Sequence, residues 1–82
     1  MELMIRETLA EHGRLAVEAR TVKSSANLYR NGLTSHASVN VMLALEDAFG
    51  VEFPDRLLKK TTFESIDAIA EALAELGCST SR

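Results

Sequence analysis

The 82 residues predict an all-α fold: a four-helix bundle of three principal helices and one short one, with a long loop between the first and second. Three observations carry this prediction. Apolar residues recur every three to four positions in three separate stretches, and each stretch closes on a glycine: Gly13, Gly50 and Gly77. Hydrophobic residues make up 46% of the chain but aromatics only 5%, with no Trp, so the core is built mainly from aliphatic side chains on helices. A chain of this length forms one modest core, a single domain over 1–82 with an ordered part of about 2–77 and a flexible tail at 78–82. It is too short for a deep, enclosed catalytic cavity.

The first helix covers about residues 2–12, where Met1, Ile5, Leu9 and His12 recur near helical spacing while Glu2, Arg6, Glu7 and Glu11 fall elsewhere. Residues 14–34 keep no period. Leu15 and Val17 pin this segment, Lys23 to Asn27 is irregular, and Leu28 and Leu33 are anchors. So long a connection fits a compact domain only if it crosses the bundle and is packed down by those apolar residues. The second helix starts at Ser35, and Ser38, Val41, Met42, Leu45, Ala48 and Phe49 form its core-directed stripe. Gly50 ends it, Val51 and Phe53 point inward, and Pro54 prevents continuation. Asp55 then caps a short third helix through Arg56, Leu57, Leu58 and Lys59. The last helix opens on Thr61-Thr62-Phe63-Glu64, a Thr-x-x-Glu capping box, and carries Ile66, Ile69, Ala70, Leu73 and Leu76 at helical spacing.

Charge and cysteine content narrow the function. Twelve acidic against nine basic residues give a net charge of −3, which repels phosphate backbones and removes the electrostatic term on which nucleic-acid binding rests. The lone Cys78 cannot form an internal disulfide and reads as an incidental free thiol in a reducing compartment. No apolar run approaches the roughly 20 residues that span a bilayer. The opening MELMIRETLAEHG is charged and amphipathic, unlike a signal peptide. The expectation is a soluble cytoplasmic monomer with no membrane partner.

Catalytic readings of the polar cluster at Gly32 to Ala37 fail on geometry. Ser35 and His36 are adjacent, and neighbours on a helix point in different directions, so His36 is badly placed as a base for Ser35. The cluster also lacks the second glycine of a nucleophile elbow. His12, His36 and Cys78 lie far apart and outside any ligand motif, so no metal is assigned. Two readings of Ser35 stay open. It is either an ordinary N-cap or an acceptor for a group attached by another enzyme, where a phosphodiester at the helix N-terminus would gain roughly 0.3 to 1 kcal/mol from the helix dipole. Val39 and Leu43, one turn apart, either flank the core or form a small exposed apolar strip beside Ser35.

The run from Leu33 to Asp55, with Ser35 four residues before Val39 and then Met42-Leu43-Ala44-Leu45-Glu46-Asp47-Ala48-Phe49-Gly50-Val51-Glu52-Phe53-Pro54-Asp55, resembles the second helix and following loop of acyl carrier proteins. Thr61-Thr62-Phe63 resembles the start of that family's last helix. The resemblance implies that Ser35 is esterified with 4′-phosphopantetheine from coenzyme A by a phosphopantetheinyl transferase, and that the arm's thiol carries an acyl group as a thioester. It implies a non-catalytic carrier. Thr34-Ser35-His36 replaces the family's usual Asp-Ser-Leu, and Ala37, Ser38 and Asn40 occupy positions that are commonly acidic, so a specialised partner is implied. Gly32-Leu33-Thr34-Ser35-His36-Ala37-Ser38-Val39 and Glu52 to Leu58 are most similar to the small stand-alone bacterial aminoacyl carrier proteins. Those receive a small amino acid, such as glycine or alanine, from a ligase resembling a truncated seryl-tRNA synthetase. Thr34, His36, Val39 and Leu43 would then border the attachment point, Glu46, Asp47, Glu52 and Asp55 would retain some acidity for docking, and Arg56, Lys59 and Lys60 would add a positive counter-surface. A carrier for fatty-acid, polyketide or peptide synthesis, loaded by another acyl-transfer enzyme, and an unmodified helical interaction domain are the alternatives.

Overall fold

The computed structural model describes residues 2–77, and every described element is helical or irregular. The expectations for Cys78 and the tail lie outside these residues. Helix α1 spans Glu2–Thr8 and continues as a π-helical turn over Leu9–Gly13. Helix α2 spans Ser35–Phe49 and helix α3 spans Ile66–Glu75. Helix α1 packs against both α2 and α3. The most deeply buried large side chains are Ile5, Leu9, Leu28, Val41, Leu45, Ile66, Ile69 and Leu73, so each helix and the connector contribute to one core.

The inward face of α1 is Ile5, Thr8 and Leu9; His12, expected on that face, is exposed. The π-turn widens the helix there and turns position 12 away from the core. Gly13 is still helical, and the left-handed residue that ends the helix is Arg14, at φ 52°. A Cβ on Gly13 would lie 3.3 Å from the Leu9 side chain of its own helical segment and 3.7 Å from Val41 of α2, an ordinary contact distance.

The connector crosses the bundle and is packed down as expected at Leu28 and Leu33, but Ala19 is buried where Val17 was expected and Val17 is exposed. Polar contacts from distant elements hold its backbone. Arg6 donates from one guanidinium nitrogen to the carbonyls of Ala19 at 3.1 Å and Val22 at 2.6 Å. The Leu28 amide donates to the Glu64 carbonyl at 2.7 Å, and the Asp67 amide to the Ser24 carbonyl at 3.0 Å. Gly32, at φ +110°, lies so close to the start of the same connector that a Cβ there would stand 2.6 Å from the Ala16 backbone nitrogen.

Two sequence expectations beyond α2 need correction. Instead of a short third helix over Arg56 to Lys59 capped by Asp55, there are two 3-10 turns, Asp55–Leu57 and Lys60–Phe63, and neither has a side-chain cap. Leu57 and Phe63 must both turn inward, and the tighter winding serves both within few residues. The Thr61-x-x-Glu64 capping box does not form, because Thr61 to Phe63 belong to the second turn. Ser65 caps α3 instead, its hydroxyl accepting from the Ala68 amide at 3.0 Å. Phe53 and Phe63 meet with ring centroids 5.5 Å apart, closing the core below α2.

Candidate functional site

The site is built on the first turn of α2. Thr34 has extended backbone and is the N-cap: its hydroxyl accepts from the Ala37 amide at 3.0 Å. Ser35 is the first helical residue, exposed, and its hydroxyl is left out of the cap. The reading of Ser35 as the N-cap is therefore corrected. The residue before it takes that task, because Thr34 rather than Ser35 adopts the extended conformation a cap requires. Ser38 Oγ donates to the Ser35 carbonyl at 2.8 Å, bracing the first turn from below. The stripe of α2 is rotated relative to expectation. Ala37, Val41 and Leu45 are buried, Ser38, Met42 and Phe49 are half-buried, and Ala48 is exposed.

Ser35 opens on a groove of about 350 Å³ that runs between α2 and the segment from Leu58 to Phe63. Val39 and Met42 line it from α2, Leu58 and Phe63 from across, and Tyr29, Lys59 and Lys60 at its edge. Among the described residues, no carboxylate lines it. Burial raises the Tyr29 phenol above its ordinary pKa; a hydrogen bond with Ser38 works against that, and the charge of Glu64 works with it.

The residues assigned to partner contact divide among several places. Thr34, Ser35, His36 and Val39 lie exposed together on the first two turns of α2, and Lys59 faces Ser35 and Val39 across the groove. Leu43, half exposed, continues the strip from Val39 but opens with Asp47 on a second groove, between α1 and α2, beside Glu11 and His12. Glu46 turns back into the fold. Its carboxylate accepts from the Phe53 amide at 2.7 Å and its carbonyl from the Gly50 and Val51 amides, which ties the chain reversal after α2. Arg56 points to α3 and pairs with Glu75 at 2.7 Å. Sequence reasoning missed Tyr29, whose isolated position in an aperiodic segment gives no signal of the groove it joins.

Among the described residues, no three His, Cys, Asp or Glu side chains group as they would around a metal ion, and no helix is long and apolar enough to cross a membrane.

A helical bundle with an exposed serine hydroxyl at a helix start, beside an open groove, has the geometry to accept a covalently attached group. The chain belongs to the phosphopantetheine attachment site family, whose profile matches residues 5–73. Its residues suit that group: the hydroxyl is accessible, the groove beside it is open, and Lys59 and Lys60 are among the residues that line that groove. The chain is 47% identical, over 73 residues that cover 89% of it and 88% of the relative, to an aminoacyl carrier protein from Agrobacterium fabrum. It is also similar to a carrier protein from Agrobacterium tumefaciens, solved with an engineered Bradyrhizobium japonicum glycine:[carrier protein] ligase and AMP. That match has a TM-score of 0.87 and 46% identity, over 90% of this chain and 99% of that one. A further match, to a crystal structure of the Bradyrhizobium japonicum glycine:[carrier protein] ligase with a glycylated carrier protein, has a TM-score of 0.74 and 27% identity, over 87% of this chain and 95% of that one.

Proposed function

We propose that Ser35 carries 4′-phosphopantetheine and that the protein is a non-catalytic aminoacyl carrier. A phosphopantetheinyl transferase modifies it and an amino acid:[carrier protein] ligase loads it with a small amino acid such as glycine. The observation that carries the reading is the exposed Ser35 hydroxyl at the first position of α2, released from capping by Thr34. The relatives support the cargo, since the carriers it resembles include an aminoacyl carrier and partners of a glycine ligase. The bound arm supplies a terminal thiol on which an amino acid is held as a thioester. The chain's own residues hold that arm's root: the cap fixes the backbone of the first turn, and the amides and dipole of α2 favour the anionic phosphodiester. Thr34, His36, Val39 and Leu43 form the surface that partners meet, with Asp47 beside it. The protein acts as a cytoplasmic monomer.

The cargo is tested by converting the protein with coenzyme A and a broad-specificity transferase, then offering labelled glycine, alanine or fatty acids with the corresponding ligases. Loading with glycine or alanine and not with long acyl chains is expected. Loading with long acyl chains alone would reject the aminoacyl reading.

A further inference from the structure

Positive charge is gathered in one stretch of the chain. From His12 to Leu45 the acidic residue is Glu18 alone, against Arg14, Arg20, Lys23 and Arg30, so this stretch stands at +3 while the whole chain stands at −3. The folded connector brings part of that charge to the end of the bundle that presents Ser35. The Ala16 amide donates to the Asn31 carbonyl at 2.7 Å, and Gly32, three residues before Ser35, packs against the Ala16 backbone. Arg14, two residues before Ala16, and Arg30, next to Asn31, flank this joint in the chain and are exposed. Among the described residues, neither forms an ion pair. Arg14 also holds a left-handed backbone at φ 52°, which a glycine would adopt without strain. With Leu15, Val17 and Arg20 it lines an open hollow of about 250 Å³ at the end of α1, where Val17 is 41% exposed. Glu18, in the same hollow, is committed to Arg20: its carboxylate accepts from the Arg20 amide at 3.2 Å and lies 3.7 Å from the guanidinium. The Arg14 charge is left for an outside partner.

Cations beside an apolar hollow suit a protein surface that bears carboxylates, and the first turn of α2 adds no acid to repel one. Two enzymes must approach this end of the bundle. The transferase holds coenzyme A, a polyanion, directly at the Ser35 hydroxyl and needs cations there, whereas the ligase acts at the arm's distant thiol and its rim is free to be acidic. We propose that this end of the connector docks an acidic rim of the ligase that loads the carrier, with Arg14 and Arg30 pairing with its carboxylates and Val17 meeting an apolar side chain. The proposal rests on the reading of the protein as a ligase-loaded carrier and adds the chemistry of the partner's surface. The strained backbone of Arg14 is then kept for the charge it carries.

The test uses the full chain, converted with coenzyme A and a broad-specificity transferase and checked by intact mass. Loading with labelled glycine by a glycine:[carrier protein] ligase is then followed as the carrier concentration is varied. Arg14→Glu with Arg30→Glu is expected to raise the KM for the carrier on the order of tenfold at low ionic strength with kcat little changed, and added salt is expected to narrow the gap to the unaltered protein. Lys23→Glu makes the same kind of change where the connector is tied to α3 through the Ser24 carbonyl, outside the hollow, and is expected to leave KM as it is. Arg14→Gly separates docking from folding: relief of the positive φ is expected to hold or raise the urea midpoint while KM still rises. The transferase is expected to modify the double variant no more slowly than the unaltered chain. A KM unmoved or lowered by the double variant, an equal effect of Lys23→Glu, or an equal slowing of the transferase would overturn the docking face and leave the carrier reading standing. Failure of the modified, unaltered protein to take glycine or alanine from such ligases would instead overturn the loading itself, and the docking face with it.

Discussion

Helix α2 and the connector before it adjoin in the chain but are held by different physics. Within Ser35–Phe49 the determinants are local: a threonine cap, apolar residues at helical spacing, and a left-handed glycine at φ 64° that ends the helix. Residues 14–34 have no such code. Short turns of their own, such as the Val22 amide on the Glu18 carbonyl and the Leu33 amide on the Leu28 carbonyl, shape them, but what fixes them to the bundle comes from far away: the Arg6 guanidinium and amide and carbonyl groups at Asp67 and Glu64. A loop can be as well ordered as a helix when its orphaned backbone groups find fixed partners and a few apolar anchors reach the core. The connector does this with Leu28 and Leu33, exposed to 0% and 3%, as deeply buried as Val41 and Leu45 of the helix.

The comparison breaks most visibly at Gly32. An alanine there would adopt an unfavourable positive φ and drive its Cβ into the Ala16 backbone, so Gly32→Ala is expected to cost on the order of 3 to 4 kcal/mol in urea unfolding. A loss under about 1 kcal/mol would mean that the connector gives way easily. Next come Leu28→Ala and Leu45→Ala, one from each region and both fully buried, each expected to lose about 3 kcal/mol. Equal losses are the result that makes the connector part of the core; a much smaller loss at Leu28 would demote it to a surface loop.

Smaller effects sharpen the same contrast. Arg6→Ala removes the donor to two connector carbonyls at once, and about 1 to 2 kcal/mol is expected to be lost, with faster amide exchange through Val22 and little change in α2. The local counterpart is Thr34→Ala, which removes the cap of α2 and is expected to cost about 1 kcal/mol, largely recovered by Thr34→Ser. If Arg6→Ala loosened α2 as much as the connector, the separation between local and remote control would not hold.

This contrast also explains what could be read from the chain. The helical bundle, the limits of α2, the glycine stop and Ser35 at the helix start were legible because each depends on residues within a turn of one another. The end of α1 was less so, since a π-turn lets Arg14 rather than Gly13 take the left-handed position. The two 3-10 turns and the Ser65 cap were obscured by a better-looking motif, Thr61-x-x-Glu64, that tertiary packing of Phe63 and Thr62 overrides. At the site, the first turn of α2 was visible, but Glu46 and Arg56 have structural partners at Phe53 and Glu75 that no local pattern announces. Tyr29 reaches the groove only because the connector folds back over the bundle, a placement written in long-range hydrogen bonds and not in its neighbours.

The central claim is tested most directly by intact mass and peptide mapping after incubation with coenzyme A and a phosphopantetheinyl transferase. The account predicts one added phosphopantetheinyl group, mapped to Ser35, absent in Ser35→Ala and retained in Ser38→Ala. A group mapped to any other residue, a gain that survives Ser35→Ala, or no gain at all in a folded chain would contradict it.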